Sequence, residues 1–234
     1  SVTLTDNQCF QNSALQGGVL VVLGDVSTMG SQVITMENNT FTSNSAAAEG
    51  GVAFIRSLFP QQMVVESCTF HANTASKGGA LYVDGTLATD QQFTFAYNTI
   101  TSNSVPNTSG KYFGGFAYIN ATDSSTFTVS HNTISSNVAY RGSGIFLESN
   151  VEGVVVVNMT GNVFHANQAF QAAAFFWETL LPNGSFHLNI SDTIFESNEA
   201  ANAGGCMMLS DSHQTLSFRN VTAVNNKGAI AGGI

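Results

Sequence analysis

The sequence predicts an all-β fold, a right-handed parallel β-helix (β-solenoid) of about eight coils with roughly 30 residues and three short strands in each. Three observations predict it. An Asn-x-Φ-x-x-Asn motif, with Φ apolar, returns along the 234 residues at intervals of about 27 to 34. A two-residue alternation of apolar side chains precedes each motif, and a Gly-Gly pair with a short apolar run follows it. No stretch carries the apolar spacing of an amphipathic helix.

Each coil is read in chain order with the last Asn of its motif as position zero. Ten and eight residues earlier lie Val2/Leu4, Ile34/Met36, Met63/Val65, Phe93/Phe95, Phe127/Val129, Val157/Met159 and Leu188/Ile190. Period two with β-branched and aromatic residues is a strand with one buried face. The motif follows. Position zero is Asn12, Asn44, Asn73, Asn103, Asn137, Asn167, Asn198 and Asn225, and three earlier stand Cys9, Phe41, Phe70, Ile100, Ile134, Phe164 and Phe195, with Thr222 as the exception. Five earlier stand Asn7, Asn39, Asn98, Asn132, Asn162 and Asn220, with Cys68 and Thr193 as replacements. A stacked Asn donates through its amide to one neighbouring coil and accepts from the other, so the repeat satisfies polar atoms inside the stack.

The Gly pairs, such as Gly17-Gly18, Gly50-Gly51, Gly78-Gly79 and Gly114-Gly115, mark a corner where a Cβ would crowd the next coil. They open a further strand, for example Leu81-Tyr82-Val83 or Phe175-Phe176-Trp177. A unit of this size cannot bury its own apolar faces, whereas stacking gives every strand a neighbour ~4.8 Å away. The pattern is continuous, so residues 1–234 are expected to form one solenoid domain. Because neither terminal coil supplies a polar cap, the chain reads as a segment of a longer one. Its longest insertion, Ser104 to Phe113, reads as a surface loop.

Composition excludes some partners. Only 9% of residues are charged, six are Lys or Arg, and the net charge is −9. No basic stripe exists to displace phosphate counterions, which argues against nucleic acid. No apolar run reaches the ~20 residues of a transmembrane helix. Cys9, Cys68 and Cys206 fall in the first, third and seventh coils, at least ~10 Å apart by coil rise, beyond the ~7 Å limit of a disulfide. They read as small buried hydrophobes.

Few residues remain for chemistry, and no catalytic residue, cofactor or metal site is assigned. Candidate N-glycosylation sequons begin at Asn38, Asn107, Asn120, Asn158, Asn183 and Asn189; a seventh, at Asn220, is placed in an inner column and expected to stay unmodified. Asn158 and Asn189 share an outward column in adjacent coils. After the Gly-Gly corner one column reads Arg56, Asp84, Asn120, Glu148, Glu178 and Ser210, and Glu37 with Glu66 forms a second acidic pair. Asp84, Glu148 and Glu178 are weak candidates for a cation or for sugar hydroxyls, and otherwise form a solvated edge. A polysaccharide lyase or hydrolase would need clustered acids with a base or Arg beside them, and here the acids are spread along the axis. His71 and His165 share a column three coils apart, too far for one metal. Trp177 and Tyr82 read as core or groove wall. A Thr/Ser row two before zero (Thr42, Thr101, Ser135) is interrupted by His71, His165 and Glu196, which argues against an ice-binding face.

The tetrapeptides Phe41-Thr42-Ser43-Asn44, Phe70-His71-Ala72-Asn73, Phe164-His165-Ala166-Asn167 and Phe195-Glu196-Ser197-Asn198 are each followed by Gly-Gly-Val, Gly-Gly-Ala or a relative. They resemble the repeats of the chlamydial polymorphic membrane proteins, and the whole chain is similar to the pectin-lyase-like right-handed β-helices. Ile100 and Ile134 depart from the Phe, and Ala172-Ala173-Ala174 from Gly-Gly-Ala. The resemblance implies a surface-exposed passenger region. The expectation is therefore a non-enzymatic extracellular or cell-surface protein, structural or adhesive. Its expected partners are other copies stacked end to end into a filament, neighbouring coils of the same chain, or a cell-surface receptor or glycans. The alternative is a carbohydrate-active enzyme or polysaccharide-binding β-helix.

Overall fold

The computed structural model describes residues 1–24, 31–56, 61–85, 90–106, 112–121, 124–149, 153–179, 185–210 and 214–232. Its strands pair in parallel, each with the equivalent strand one coil away. The first sheet stacks Val2–Thr5, Gln32–Glu37, Gln61–Glu66, Gln92–Ala96, Thr126–Ser130, Val154–Thr160, Ser185–Ser191 and Gln214–Arg219. The second stacks eight three-residue strands, from Gln8–Phe10 to Thr222–Val224. The sheet after the Gly-Gly corner stacks seven, from Leu20–Leu23 to Met207–Ser210. The architecture is the expected parallel β-solenoid.

A fourth column of strands departs from the expected three. It follows the ladder asparagine and is called the third sheet here, with the post-glycine strands as the fourth. Ser13–Gln16 pairs with Ser45–Glu49, and Val138–Arg141 leads through Gln168–Gln171 and Glu199–Ala200 to Lys227–Gly228. Isolated bridges at Thr74 and Ser104 join the two groups. These stretches are mostly Ser, Ala, Gln and Glu, so no apolar alternation announces a strand.

The predicted alternation is the core. Ile34, Met36, Met63, Val65, Phe93, Phe95, Phe127, Val129, Val157, Met159, Leu188 and Ile190 are buried, and they meet Phe70, Ile100 and Phe164 from the second sheet and Ile55, Val83 and Leu147 from the fourth. Register puts like on like. Phe41 stacks on Phe70 at 5.0 Å, Phe93 on Phe127 at 4.7 Å, and Phe164 on Phe195 at 5.0 Å. Such pairs add about 0.5–1.5 kcal/mol each beyond their buried area. Trp177 is core, with its ring 3.9 Å from that of Phe186.

Both motif asparagines sit immediately after a sharp bend. Ser43, Ala72, Ser102, Ser136, Ala166 and Ser197 precede one column, and Asn38, Ser67, Tyr97, His131, Gly161 and Asp192 the other, all with φ between 51° and 66°. Left-handed backbone costs a residue with a side chain roughly 1–2 kcal/mol, so a compensating force must act there. The asparagines supply it. Asn73 Nδ2 donates to the Phe41 carbonyl at 3.0 Å and to Asn103 Oδ1 at 2.9 Å, while its Oδ1 accepts from the backbone N and Nδ2 of Asn44 at 2.9 and 3.0 Å. Asn98, Asn132 and Asn162 repeat the arrangement in the second column.

In the last coil the ladder residue is Asn226, not Asn225. Asn226 Oδ1 accepts from both the backbone N and Nδ2 of Asn198 at 2.9 Å, and Asn225 takes the bend with φ 54°. Asn is among the residues that best tolerate the left-handed region, so an Asn-Asn pair offers two registers. The one-residue shift moves the whole coil. Leu216 and Phe218 align with Leu188 and Ile190, and Ala223 rather than Thr222 lies over Phe195. Asn220 leaves the inner column for the bend, where its Nδ2 donates to Asp192 Oδ1 at 2.8 Å.

Cys68 interrupts the second ladder. Its Sγ lies 3.5 Å from the Asn39 backbone N and 3.4 Å from the Met36 carbonyl, the place where Asn98, Asn132 and Asn162 donate to Val65, Phe95 and Val129. A thiol is a weak donor and acceptor. Cys68→Asn is therefore expected to stabilise the protein by about 1 kcal/mol through one restored buried amide pair, raising the urea midpoint at an unchanged slope.

Candidate functional site

The corner column survives in the structure, because register aligns Arg56, Asp84, Asn120, Glu148, Glu178 and Ser210 in successive coils. Its acids do not form a solvated edge. Asp84 Oδ2 accepts from Arg56 Nε at 3.1 Å, Glu148 Oε2 from the Tyr118 hydroxyl at 2.7 Å, and both Glu178 oxygens from Arg141 Nη1 at 3.3 and 3.2 Å. The Glu178 and Arg141 side chains are only 25% and 27% exposed.

The reason lies two residues earlier on each strand. Phe54, Tyr82, Tyr118, Phe146 and Phe176 point away from the main core and stack as a continuous ladder, with successive centroids 5.3, 4.9, 5.4 and 5.0 Å apart and planes within 10°. All five are buried in a second apolar cluster. Charged side chains roof it. Lys77 Nζ lies 5.3 Å from the Tyr118 centroid, and the Arg141 guanidinium 5.5 Å from both Phe113 and Phe176. Phe113 closes the gap by stacking on Phe146 at 4.7 Å. The sequence conceals this ladder because Leu81-Tyr82-Val83 and Phe175-Phe176-Trp177 are apolar throughout. Only the phase of the strand shows that the middle residue faces outward.

Burial, then the charge of Glu148 and the hydrogen bond to it, push the Tyr118 phenol far above its usual range. Burial, then Asp84, pushes Tyr82 up as well. Both rings are held neutral when folded, whereas the unfolded phenols ionise near pH ~10. Their contribution is fully present below that pH and is lost as pH rises past it. Stability should therefore fall above pH ~10, and two of the five tyrosines should ionise only on unfolding, which a phenolate absorbance titration reads directly.

The other candidates are dispersed. Glu37 and Glu66 pair in register and border a shallow surface depression with Asn38 and Ser67. His71 Nδ1 lies 2.9 Å from Thr101 Oγ1, and His165 Nδ1 lies 3.5 Å from Glu196. Among the described residues no three His, Cys, Asp or Glu side chains gather as metal ligands. Asn38 is exposed at its bend. Asn158 and Asn189 share the outward column of the first sheet, with Asn189 Nδ2 donating to Asn158 Oδ1 at 2.9 Å. Asn120 is corrected as a glycan site: it is 8% exposed, wedged between Asp84 and Glu148, with no room for a bulky sugar. Asn107 and Asn183 lie outside the described residues. The thiols of Cys68 and Cys206 are buried and that of Cys9 partly so; all three are unpaired, and burial pushes the Cys206 thiol up to about 12.

The parallel coils, the asparagine ladders and the glycine corners thus form one continuous stack, and a family model described as right handed beta helix region matches residues 1–179. The chain belongs to the right-handed β-helix family. No curated protein and no solved structure matches it. Among the described residues of this β-helix no helix is long and apolar enough to cross a membrane. Asp84 and Glu178 pair with Arg56 and Arg141, whose guanidinium groups lie over Phe54 and Phe176 of the aromatic ladder.

Proposed function

We propose that this right-handed β-helix is a non-enzymatic structural or adhesive module that acts outside the cell or on its surface. One observation supports the reading most directly. Asp84, Glu148 and Glu178 are engaged by Arg56, Tyr118 and Arg141 over a buried aromatic ladder, and do not converge on an open cleft. The outward faces then act as a polar surface for a receptor or glycan, or for other copies of the chain in a filament. The finer likeness to chlamydial polymorphic membrane proteins rests on the four Phe-x-x-Asn tetrapeptides.

The test has two arms. Incubation with a panel of neutral and acidic polysaccharides should release no reducing ends and no unsaturated uronate, while immobilised protein should retain cells or glycans. Cleavage that Glu148→Gln abolishes would overturn the reading in favour of a carbohydrate-active enzyme. Glycopeptide mass spectrometry of Asn38, Asn158 and Asn189 in protein from its native source tests the extracellular assignment.

A further inference from the structure

We propose that Asn220 carries an N-linked oligosaccharide, at a site that the one-residue shift of the last coil creates. The proposal rests on the extracellular reading above. Asn220-Val221-Thr222 is a sequon. In the inner column its amide would be walled in, as at Asn39, Asn98, Asn132 and Asn162, each no more than 1% exposed. In the structure that column runs from Thr193 to Val221, because Ile194 pairs with Thr222. Val221 packs against the main core. Its two neighbours therefore face out, and both Asn220 and Thr222 are exposed.

The ladder itself releases Asn220. A buried carboxamide needs a partner in each neighbouring coil, whereas the hydroxyl of Thr193 is satisfied without the coil that follows. Thr193 Oγ1 accepts from the Asn162 backbone N at 3.3 Å and donates to the Ser191 carbonyl at 2.9 Å. Its one hydrogen is engaged, so nothing in this coil calls for an Asn in the next. Apolar Val221 takes the inner place, and Asn220 takes the bend with φ 50°, which Asn tolerates.

The bend suits a bulky group. The same position in earlier coils holds Asn38, Ser67, Tyr97, His131 and Asp192, all exposed, so the openness belongs to the bend and not to the last coil alone. Asn38-Asn39-Thr40 has the same frame, with Asn at the bend, a buried inner residue and an exposed Thr. Asn220 lies on the same edge six coils on, ~29 Å along the axis. Asn158 and Asn189 are poorer acceptors, because they sit side by side in mid-strand with the amide of one bonded to the other. In the transfer the Asn220 Nδ2 nitrogen forms a bond to the sugar C1, and the bond from C1 to oxygen of a lipid-linked diphosphate donor breaks. The diphosphate leaves with its lipid, and one Nδ2 proton passes to a base on the transferring enzyme. The second Nδ2 hydrogen remains for Asp192 Oδ1, now 2.8 Å away. A sugar here is incompatible with the inner column, so it holds the coil in the register that makes Asn226 the ladder residue.

The full chain is secreted from a eukaryotic cell behind a cleavable leader, and its glycopeptides are sequenced by mass spectrometry. The folded protein in the medium should carry sugar at Asn220. Asn220→Gln and Thr222→Ala should each remove the mass of one glycan with the circular dichroism spectrum unchanged, and Thr222→Ser should keep it. In the glycosylated protein Asn226→Ala should lower the urea midpoint and Asn225→Gly should leave it unchanged. Folded, secreted protein bare at Asn220 would overturn the proposal, as would the reverse ranking of the two ladder variants. The extracellular reading is tested separately on protein from the native source: no sugar at any sequon there, with Asn220 modified in the secreting host, would sink that reading alone.

Discussion

Replacing Asn103 by alanine is expected to destabilise the protein by about 3 to 5 kcal/mol, because two or more buried groups lose their partners at about 1–3 kcal/mol each. The amide at this position sits mid-ladder and fully buried. Its Oδ1 accepts from the backbone N and Nδ2 of Asn73 at 3.0 and 2.9 Å, and its Nδ2 donates to the Phe70 carbonyl at 2.9 Å and to Asn137 Oδ1 at 3.1 Å. Alanine removes all four contacts and leaves two Asn73 donors facing protein. The bend at Ser102, with φ 58°, also loses the hydrogen bonds that hold it. The measurement is urea unfolding followed by circular dichroism. Asn73→Ala in the same chain should add less than its own single effect, since one of the two donors stranded by the first change, Asn73 Nδ2, is removed by the second. Asn12→Ala, at an exposed ladder position, should cost far less.

The ladder also shows how far the sequence could be read. An Asn every coil is legible because the requirement is local and repeated: Asn44, Asn73 and Asn103 each need an Asn above and below. The inward alternation is legible for the same reason. Where two residues meet one requirement, the reading fails. Asn225-Asn226 satisfies both the bend and the ladder, and only hydrogen bonding to Asn198 chooses between them. The column of Asp84, Glu148 and Glu178 was legible as a row, but its environment was not. That environment depends on Tyr118 and on Lys77, Phe113 and Arg141, which approach from a different part of the coil.

Gly79→Ala should be the second severe substitution, and it tests whether the glycine corner exists for conformation or for closeness. Gly79 has no left-handed φ, unlike Gly78 at 58°, so backbone freedom does not explain it. An added Cβ would stand 2.1 Å from the Gly115 carbonyl oxygen and 2.9 Å from that of Ser104. Both obstacles are backbone and cannot rotate away. Moving the Gly115 carbonyl disturbs its neighbours, the Gly114 and Phe116 carbonyls, which accept from Gly79, Ala80 and Leu81 at 2.9, 3.0 and 2.9 Å. Overpacking of this kind costs about 3 kcal/mol. In a chain of this size that corresponds to a melting temperature lower by about 6–12 °C. The comparison is Ser143→Ala, at the equivalent place two coils on, where the stack already accommodates a Cβ and the Ser143 hydroxyl donates to the Ala173 carbonyl. Only that hydrogen bond is lost, for about 1 kcal/mol. Equal melting shifts for the two variants would mean that the corner tolerates a methyl anywhere and that the glycines are not required for coil spacing. A large shift at Gly79 and a small one at Ser143 would show that the distance between neighbouring backbones, set coil by coil, decides which corners must be glycine.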